Sequence, residues 1–273
     1  MKPYISAKVV SQRETVGGHF LIVLKVPASF RGSSPGQFVM VRMPNTDTPF
    51  LSRPFSIYSV YSQDKETFLE ILYKVAGRGT AVFSGLRKGN VLNVLGPLGK
   101  GFDVPPQCDK IVLIAGGVGI APLSFLAQRC EKDHNGPEII CYAGAGNLES
   151  LVGIDRIEGM CSAVKISTDD GSWGYRGTVT ELFSRDMDLY VNNGSRLYSC
   201  GPDPMLRRLQ ELVEGRPVVC QVSLEERMAC GIGACQGCVV KVRSGGAGKG
   251  LPRVCKEGPV FDICEVEFGE DNG

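Results

Sequence analysis

Residues 110–133 read KIVLIAGGVGIAPLSFLAQRCEKD: an apolar run, a cluster of glycines, then apolar residues at helical spacing. A strand that enters a glycine turn and leaves as a helix is the first half of a βαβ unit. The second half follows in EIICYAGA at 138–145, with a further strand in AVKISTDD at 163–170 and another in RLYSCG at 196–201. PMLRRLQELVEG, from 204, has helical periodicity. The pattern predicts a doubly wound parallel sheet over residues 103–215. GGVGIAPL, at 116–123, then lies where such a sheet presents glycine turns and a helix N-terminus to a dinucleotide pyrophosphate. It departs from the G-x-G-x-x-G fingerprint because Pro122 fills the third glycine position, and proline suits a first helical turn. A plain strand-to-helix turn is the alternative. CGPDPM, at 200–205, reaches the same carboxyl edge of the sheet. Cys200 and Gly201 are therefore candidates to line the nicotinamide side, although a core thiol at Cys200 fits as well.

Upstream, residues 1–102 carry short alternating or β-branched runs, YISAKVV, HFLIVLKV, QFVMVRM, PFSIYSV, TFLEILYKV and NVLNVLG. The turn clusters RGSSPG, MPNTDTP and YSQDKE separate them, which predicts an antiparallel β-barrel. Within it, RPFS at 53–56 offers Arg53 to a pyrophosphate and Ser56 to a flavin ring, and GRGT at 77–80 offers close backbone approach to phosphate. Arg-Pro is also common in turns and GRGT also suits a tight connection, so neither motif decides alone.

Downstream, residues 216–273 are loop-rich and too few to bury a core unaided. Their staple is read in CGIGACQGC, at 230–238. Cys230, Cys235 and Cys238 stand as C-x4-C-x2-C, and Cys255 follows after sixteen intervening residues. This is the plant-type ferredoxin spacing for a 2Fe-2S cluster. Gly231, Gly233 and Gly237 are expected to supply positive φ and to let amides approach the sulfides. Tetrahedral zinc is the alternative, although zinc sites favour paired C-x2-C knuckles. Cys264 is expected in a strand core by the alternation of VFDICEVEF. Cys108, Cys130, Cys141, Cys161 and Cys220 are expected to act as small apolar residues.

The chain of 273 residues has 43% hydrophobic and 22% charged residues and a formal net charge of +1, which gives no footprint for nucleic acid or acidic membranes. MKPYISAKVVSQRE reads as a strand start rather than a signal peptide, and no run approaches a membrane span. Eleven cysteines in such a chain suit metal ligands or free thiols, so a cytoplasmic protein is expected.

The order RPFS, GRGT, GGVGIAP, CGPDPM resembles the ferredoxin-NADP reductase superfamily over about 200 residues, with a plant-type 2Fe-2S domain closing the chain. Within it, CGIGACQGC followed by RVCKEGPVF, and TDDGSWGYRGTVTELF at 168–183, resemble the electron-transfer subunits of NAD-dependent dihydroorotate dehydrogenases. The resemblance implies FAD, a 2Fe-2S cluster and an NAD site. It implies FAD at Arg53, Pro54, Phe55, Ser56, Leu72, Tyr73, Gly79 and Thr80. It likewise implies the cluster on Cys230, Cys235, Cys238 and Cys255, and NAD shaped by Gly116, Gly117, Gly119 and Pro122. Phe55 stands where many reductases carry tyrosine, so ring packing replaces a hydrogen bond there. The absence of a cation in AGAGNLES at 143–150, together with Asp169 and Asp170, favours NAD over NADP. The partner implied is an FMN-containing catalytic subunit in a heterotetramer of two plus two. Alternatives are a related subunit of a hydrogenase, a glutamate-synthase-like enzyme or a ferredoxin-linked bifurcating complex, or, from another class, a zinc-stabilised interaction module.

Overall fold

The computed structural model describes residues 3–44, 51–106, 108–131, 136–192, 194–243 and 251–269. The turn at 45–50, the end of the helical run at 132–133 and the GGAGKG loop at 245–250 lie outside them.

The first sheet comprises β1 (Tyr4–Glu14), β2 (His19–Val26), β3 (Phe38–Arg42), β4 (Arg53–Ser56), β5 (Ser59–Gln63), β6 (Glu66–Lys74) and β7 (Val91–Leu98). Their order is β4-β3-β7-β1-β2-β6-β5, and every pairing is antiparallel. PFSIYSV, expected as one strand, is split between β4 and β5 at opposite ends of that order. Only Ile57 and Tyr58 join them, and two residues span roughly 7 Å. The sheet must therefore curl until its edges meet. The Ile57 amide donates to Gln37 on one side and the Tyr58 amide to Glu70 on the other. Inward positions such as Ile22, Leu24, Val39, Val41, Leu69 and Val94 fill the barrel. GRGT, expected as a turn, opens helix α1 (Arg78–Ser84), whose Phe83 enters the same core.

The second sheet begins with β8 (Lys110–Gly116), followed by α2 (Ile120–Cys130), β9 (Glu138–Ala145), α3 (Ile154–Glu158), β10 (Ala163–Thr168), β11 (Tyr175–Arg176) and α4 (Val179–Tyr190). It continues with β12 (Ser195–Cys200), α5 (Asp203–Val213), β13 (Val219–Ser223) and β14 (Val260–Asp262). The order β11-β10-β9-β8-β12-β13-β14 reverses direction at β8, as a doubly wound sheet does. All pairings are parallel except β13 with β14. Leu123, Leu126 and Ile157 of α2 and α3 pack on one face, and Phe183, Leu206 and Leu209 of α4 and α5 on the other.

Strands β13 and β14 fall beyond residue 216, where a separate third unit was expected, yet they extend the central sheet. The cysteine-bearing segment between them shares its core. Cys238, Val254, Cys255 and Ile263 pack with Phe38, Met40 and Leu98 of the barrel. This is how so short a segment becomes stable: it borrows apolar surface from both neighbours. Cys264 is a correction. It is exposed in a short 3-10 turn, because the Asp262 carboxylate accepts from the Cys264 amide and ends the strand alternation, leaving Ile263 to take the buried place.

The barrel and the central sheet are pinned by Arg156 of α3, whose Nη1 lies 2.5 Å from Glu70 Oε2 on β6 and whose guanidinium sits 4.5 Å from the Tyr58 ring centre. Glu70 is only 9% exposed, so removing its partner leaves a nearly buried carboxylate uncompensated. Arg156→Ala is expected to destabilise the protein by about 2 kcal/mol, after discounting for the partial exposure of Arg156. Glu70→Gln should cost less, and urea unfolding of both variants and of the double mutant checks the coupling.

Candidate redox site

Two cavities meet between the barrel and the central sheet. The first, about 340 Å³, is lined on the barrel side by Pro54, Phe55, Ser56, Leu72 and Tyr73. The far wall comes from Val118 and Ala121 at the start of α2 and from Ser223, Glu225 and Met228 after β13. Pro54, Phe55 and Ser56 and the Leu72–Tyr73 strand segment thus face one space. Phe55 lies 5.3 Å from the Tyr73 ring and 5.8 Å from Phe83, so it is held by ring packing. Burial raises the Tyr73 hydroxyl pKa, and that hydroxyl donates to Gln12 Oε1 at 3.3 Å. Arg53, Gly79 and Thr80 gather just outside this cavity. A Cβ on Gly79 would stand 2.5 Å from Arg53 Nε, which explains why glycine is needed where the guanidinium crosses α1. Thr80 Oγ1 accepts from the Ala76 and Gly77 amides at 2.9 and 3.2 Å and fixes the turn. A flat, aromatic-walled slot beside a guanidinium fits a flavin ring with its pyrophosphate.

The second cavity, about 630 Å³, lies at the carboxyl ends of β8, β9 and β10. Gly116, Gly117 and Val118 border it, with Gly144, Ala145 and Gly146 from β9 and the turn after it, and Asp169 after β10. Val118 and Lys74 line both cavities, so the two are contiguous. The remaining candidates lie beneath this floor and do not line either cavity. A Cβ on Gly119 would meet the Cys200 carbonyl oxygen at 2.2 Å, and one on Gly201 would meet Met205 Cε at 2.5 Å. Pro122 is buried in the first turn of α2. Cys200 is fully buried, and burial pushes its thiol well up.

Several lining residues escaped the sequence. His19 and Lys74 come from the barrel, Arg208 from α5 and Glu225 from the segment after β13, none of them in a motif. AGAGNLES contributes no cation, as expected, but Arg208 does; Glu211 Oε2 sits 2.6 Å from its Nη1 and offsets that charge. Burial, then the Asp203 carboxylate, raises the Glu225 carboxyl pKa.

The cysteine loop lies against the barrel on the other side of the flavin slot. A Cβ on Gly231, whose φ is +70°, would fall 2.4 Å from Met40 Cγ, so only glycine allows the loop to seat there. Gly233 also has positive φ, whereas at the third expected position Gln236, not Gly237, takes the left-handed conformation. Ala234 and Cys235 amides donate to Cys230 Sγ at 3.3 and 3.4 Å, and the Gly233 amide donates to Cys255 Sγ at 3.1 Å. Burial acts to raise the Cys230 thiol, but amide hydrogen bonds, chiefly from Cys235 and Ile232, outweigh it and bring it down to about 6. Burial and its neighbour Cys238 push Cys255 up to about 12. The thiols therefore fall into two contacting pairs, Cys230 with Cys235 and Cys238 with Cys255. Among the described residues no three ligating side chains converge on one centre. Two pairs fit a two-iron cluster, each iron taking two thiolates, better than a single tetrahedral ion. The first pair is open to solvent at Cys235, while Cys238 and Cys255 are 2% and 3% exposed.

Two contiguous cavities and a four-thiolate loop define an oxidoreductase with flavin, nicotinamide and iron–sulfur domains. Family models match in that order: an oxidoreductase FAD-binding domain over residues 7–102, an oxidoreductase NAD-binding domain over 113–211, and the iron–sulfur cluster binding domain of dihydroorotate dehydrogenase B over 225–267. The dihydroorotate dehydrogenase B (NAD(+)) electron transfer subunit of Desulforamulus reducens is 38% identical over 97% of this chain and 99% of its own length. Its counterpart from Clostridium perfringens is 34% identical, over 97% and 98%. The chain belongs to this family of electron transfer subunits. Among solved structures, the NADH-dependent reduced ferredoxin-NADP oxidoreductase aligns with a TM-score of 0.82 at 25% identity, over 96% of this chain and 90% of that one. A ferredoxin NADP+ reductase from Neisseria gonorrhoeae shares the fold at 16% identity and a TM-score of 0.67, over 81% and 99%.

His19, at the border of the nicotinamide cavity, is 1% exposed and its Nδ1 donates to the Val16 carbonyl at 2.8 Å. Burial lowers its pKa below the ordinary 6.5. The unfolded chain then binds a proton that the folded chain refuses, so stability should fall as pH drops through the unfolded value. Urea midpoints of the wild type are expected to fall from about pH 7 to 5.5, and those of His19→Asn to fall less over the same interval.

Proposed function

We propose that this chain carries electrons between NAD and a partner subunit that oxidises dihydroorotate, with a 2Fe-2S cluster as the contact point. The observation that supports this reading most directly is the linear arrangement. The proposed flavin slot shares Val118 and Lys74 as wall residues with the proposed nicotinamide cavity. On its other side Phe38, which lines the slot, packs in the same apolar core as Cys238 and Cys255. Cys235, with Ile232 at 54% exposure beside it, then faces outward.

When bound, FAD supplies hydride and single-electron chemistry and the cluster supplies single-electron chemistry, so the chain's own task is to hold and align. Phe55 and Tyr73 offer aromatic faces to a flat ring, and Arg53 offers charge to a pyrophosphate. Gly116 and Gly117 let a dinucleotide approach the end of β8, while Cys200, Gly201, Gly119 and Pro122 shape the floor beneath it. Glu225, raised by burial, keeps a proton on its carboxyl beside the flavin slot to higher pH than an ordinary glutamate does. Met228 and Leu224 keep water from the side of the slot that faces the loop. In functional terms residues 1–102 serve FAD, 103–215 serve NAD and 216–273 the cluster, although the last two share a sheet. The relatives' names as electron transfer subunits support a catalytic partner, and the partner proposed is an FMN-containing subunit in a two-plus-two heterotetramer. Eleven free thiols suit a cytoplasmic setting, and no described helix is long and apolar enough to cross a membrane.

Anaerobic purification is expected to yield a flavin spectrum with the broad visible absorption of an oxidised 2Fe-2S cluster. Cys255→Ser should lose the cluster absorption and keep the flavin. A colourless zinc-containing product would refute the redox reading. Co-expression with the catalytic subunit should give a complex of two plus two chains that reduces NAD with dihydroorotate, and recovery of a different redox partner would reassign the acceptor.

Asp169 supports the preference for NAD, since its carboxylate borders the cavity where a 2'-phosphate would arrive. Asp169→Ser is expected to raise flavin reduction by NADPH relative to NADH about tenfold, a shift of about 1.4 kcal/mol, read in stopped-flow absorbance.

A further inference from the structure

Arg253 stands two residues before Cys255 and makes more directed contacts than any structural requirement of a surface turn explains. Its Nε and Nη2 form a fork on the two carboxylate oxygens of Glu257, at 3.0 and 2.7 Å, and its backbone amide donates to the same carboxylate at 2.9 Å. The remaining arm, Nη1, donates to the Gly233 carbonyl at 2.6 Å. That carbonyl belongs to the peptide linking Gly233 to Ala234, whose N–H donates to Cys230 Sγ at 3.3 Å. The guanidinium and the sulfur are thus joined through one peptide group, charge at one end and thiolate at the other. A cation on the carbonyl draws electron density from the peptide and strengthens the N–H donor at its far side.

We propose that Arg253 is a positioning residue that raises the reduction potential of the iron–sulfur centre through the Gly233–Ala234 peptide, and that Glu257 moderates it. This rests on the reading that the four cysteines hold such a centre. Reduction adds negative charge that spreads onto the cysteine sulfurs, so donors to those sulfurs stabilise the reduced form more than the oxidised one. Glu257 has two opposed effects: its fork aims Nη1 at the carbonyl, and its charge cancels part of the guanidinium field. Fork geometry is specific to arginine, and lysine delivers only a point charge. Lys256 lies close as well, its Cδ 2.7 Å from where a Gly233 Cβ would stand, but this contact is made by methylene groups.

The test is potentiometric titration of the cluster, followed by electron paramagnetic resonance, in the cofactor-loaded wild type and in Arg253→Gln, Arg253→Lys and Glu257→Gln, with iron and sulfide determined in each. Arg253→Gln is expected to shift the midpoint downward, Glu257→Gln upward, and Arg253→Lys downward by less than Arg253→Gln. A clamp that acted only by bracing the loop would move the Arg253→Gln and Glu257→Gln midpoints the same way, or leave both in place, and either result overturns the proposal. If Arg253→Gln does not load iron, the sign of the Glu257→Gln shift decides alone. Failure of all three variants to load iron would make the role purely structural and overturn the proposal too. A wild-type protein without a cluster would instead refute the underlying redox reading.

Discussion

The Lys100 amide donates to the Gly258 carbonyl at 2.6 Å, at a seam where the barrel and the end of the cysteine segment meet backbone to backbone. A side chain at Gly99 would stand 2.5 Å from Pro259 Cδ, and one at Gly36 would stand 2.8 Å from Val260. This seam fixes the start of β14, and β14 pairs with β13 on the central sheet. The cysteine segment is therefore tied at one end to the central sheet and packs at Gly231, Cys238, Val254 and Cys255 against the barrel. The electron route depends on that triangle. Loosening any side would move the two cavities and the cysteine loop relative to one another.

The environments of the four thiols follow from the same geometry. Where the loop turns outward, backbone amides are free to donate, and Cys230 is held down to about 6. Where the chain returns against Phe38 and Met40, apolar packing dominates and Cys255 is raised to about 12. Amide donors thus favour the thiolate at Cys230, while burial and the neighbouring Cys238 favour the protonated thiol at Cys255. Between the slot and the solvent the chain changes from apolar packing to amide donors over a few residues.

Much of this was legible in local sequence because the signals are local. The strand before GGVGIAPL and the helix after it are where the sequence places them, since glycine turns and helical periodicity are short-range properties, and Pro54, Phe55 and Ser56 share one cavity with Leu72 and Tyr73. What was not legible depends on long-range pairing. Nothing in PVVCQV says that β13 lies beside β12 in register, Cys200 opposite Ser223. PFSIYSV reads as one strand because alternation does not report that Ile57 and Tyr58 cross from one sheet edge to the other. Glu225, Lys74 and His19 enter the cavities from distant elements and carry no pattern of their own. A Cβ at Gly119 or Gly201 would meet Cys200 or Met205, so a glycine motif signals close approach without saying what approaches. Cys264 shows how one local hydrogen bond, from its own amide to the Asp262 carboxylate, cancels the alternation of a strand.

Closure of the barrel through Ile57 and Tyr58 has a consequence for association. That two-residue link leaves β4 and β5, four and five residues long, as the edges of the sheet, with no ladder joining them among the described residues. The central sheet ends in β11, two residues long, and β14, three residues long. Among the described residues every sheet edge is therefore short, which limits strand addition, a common route by which β-rich proteins recruit one another inadvertently. Recognition at this molecule is left to loops and side chains, whose contacts form and part without disturbing a hydrogen-bonded ladder.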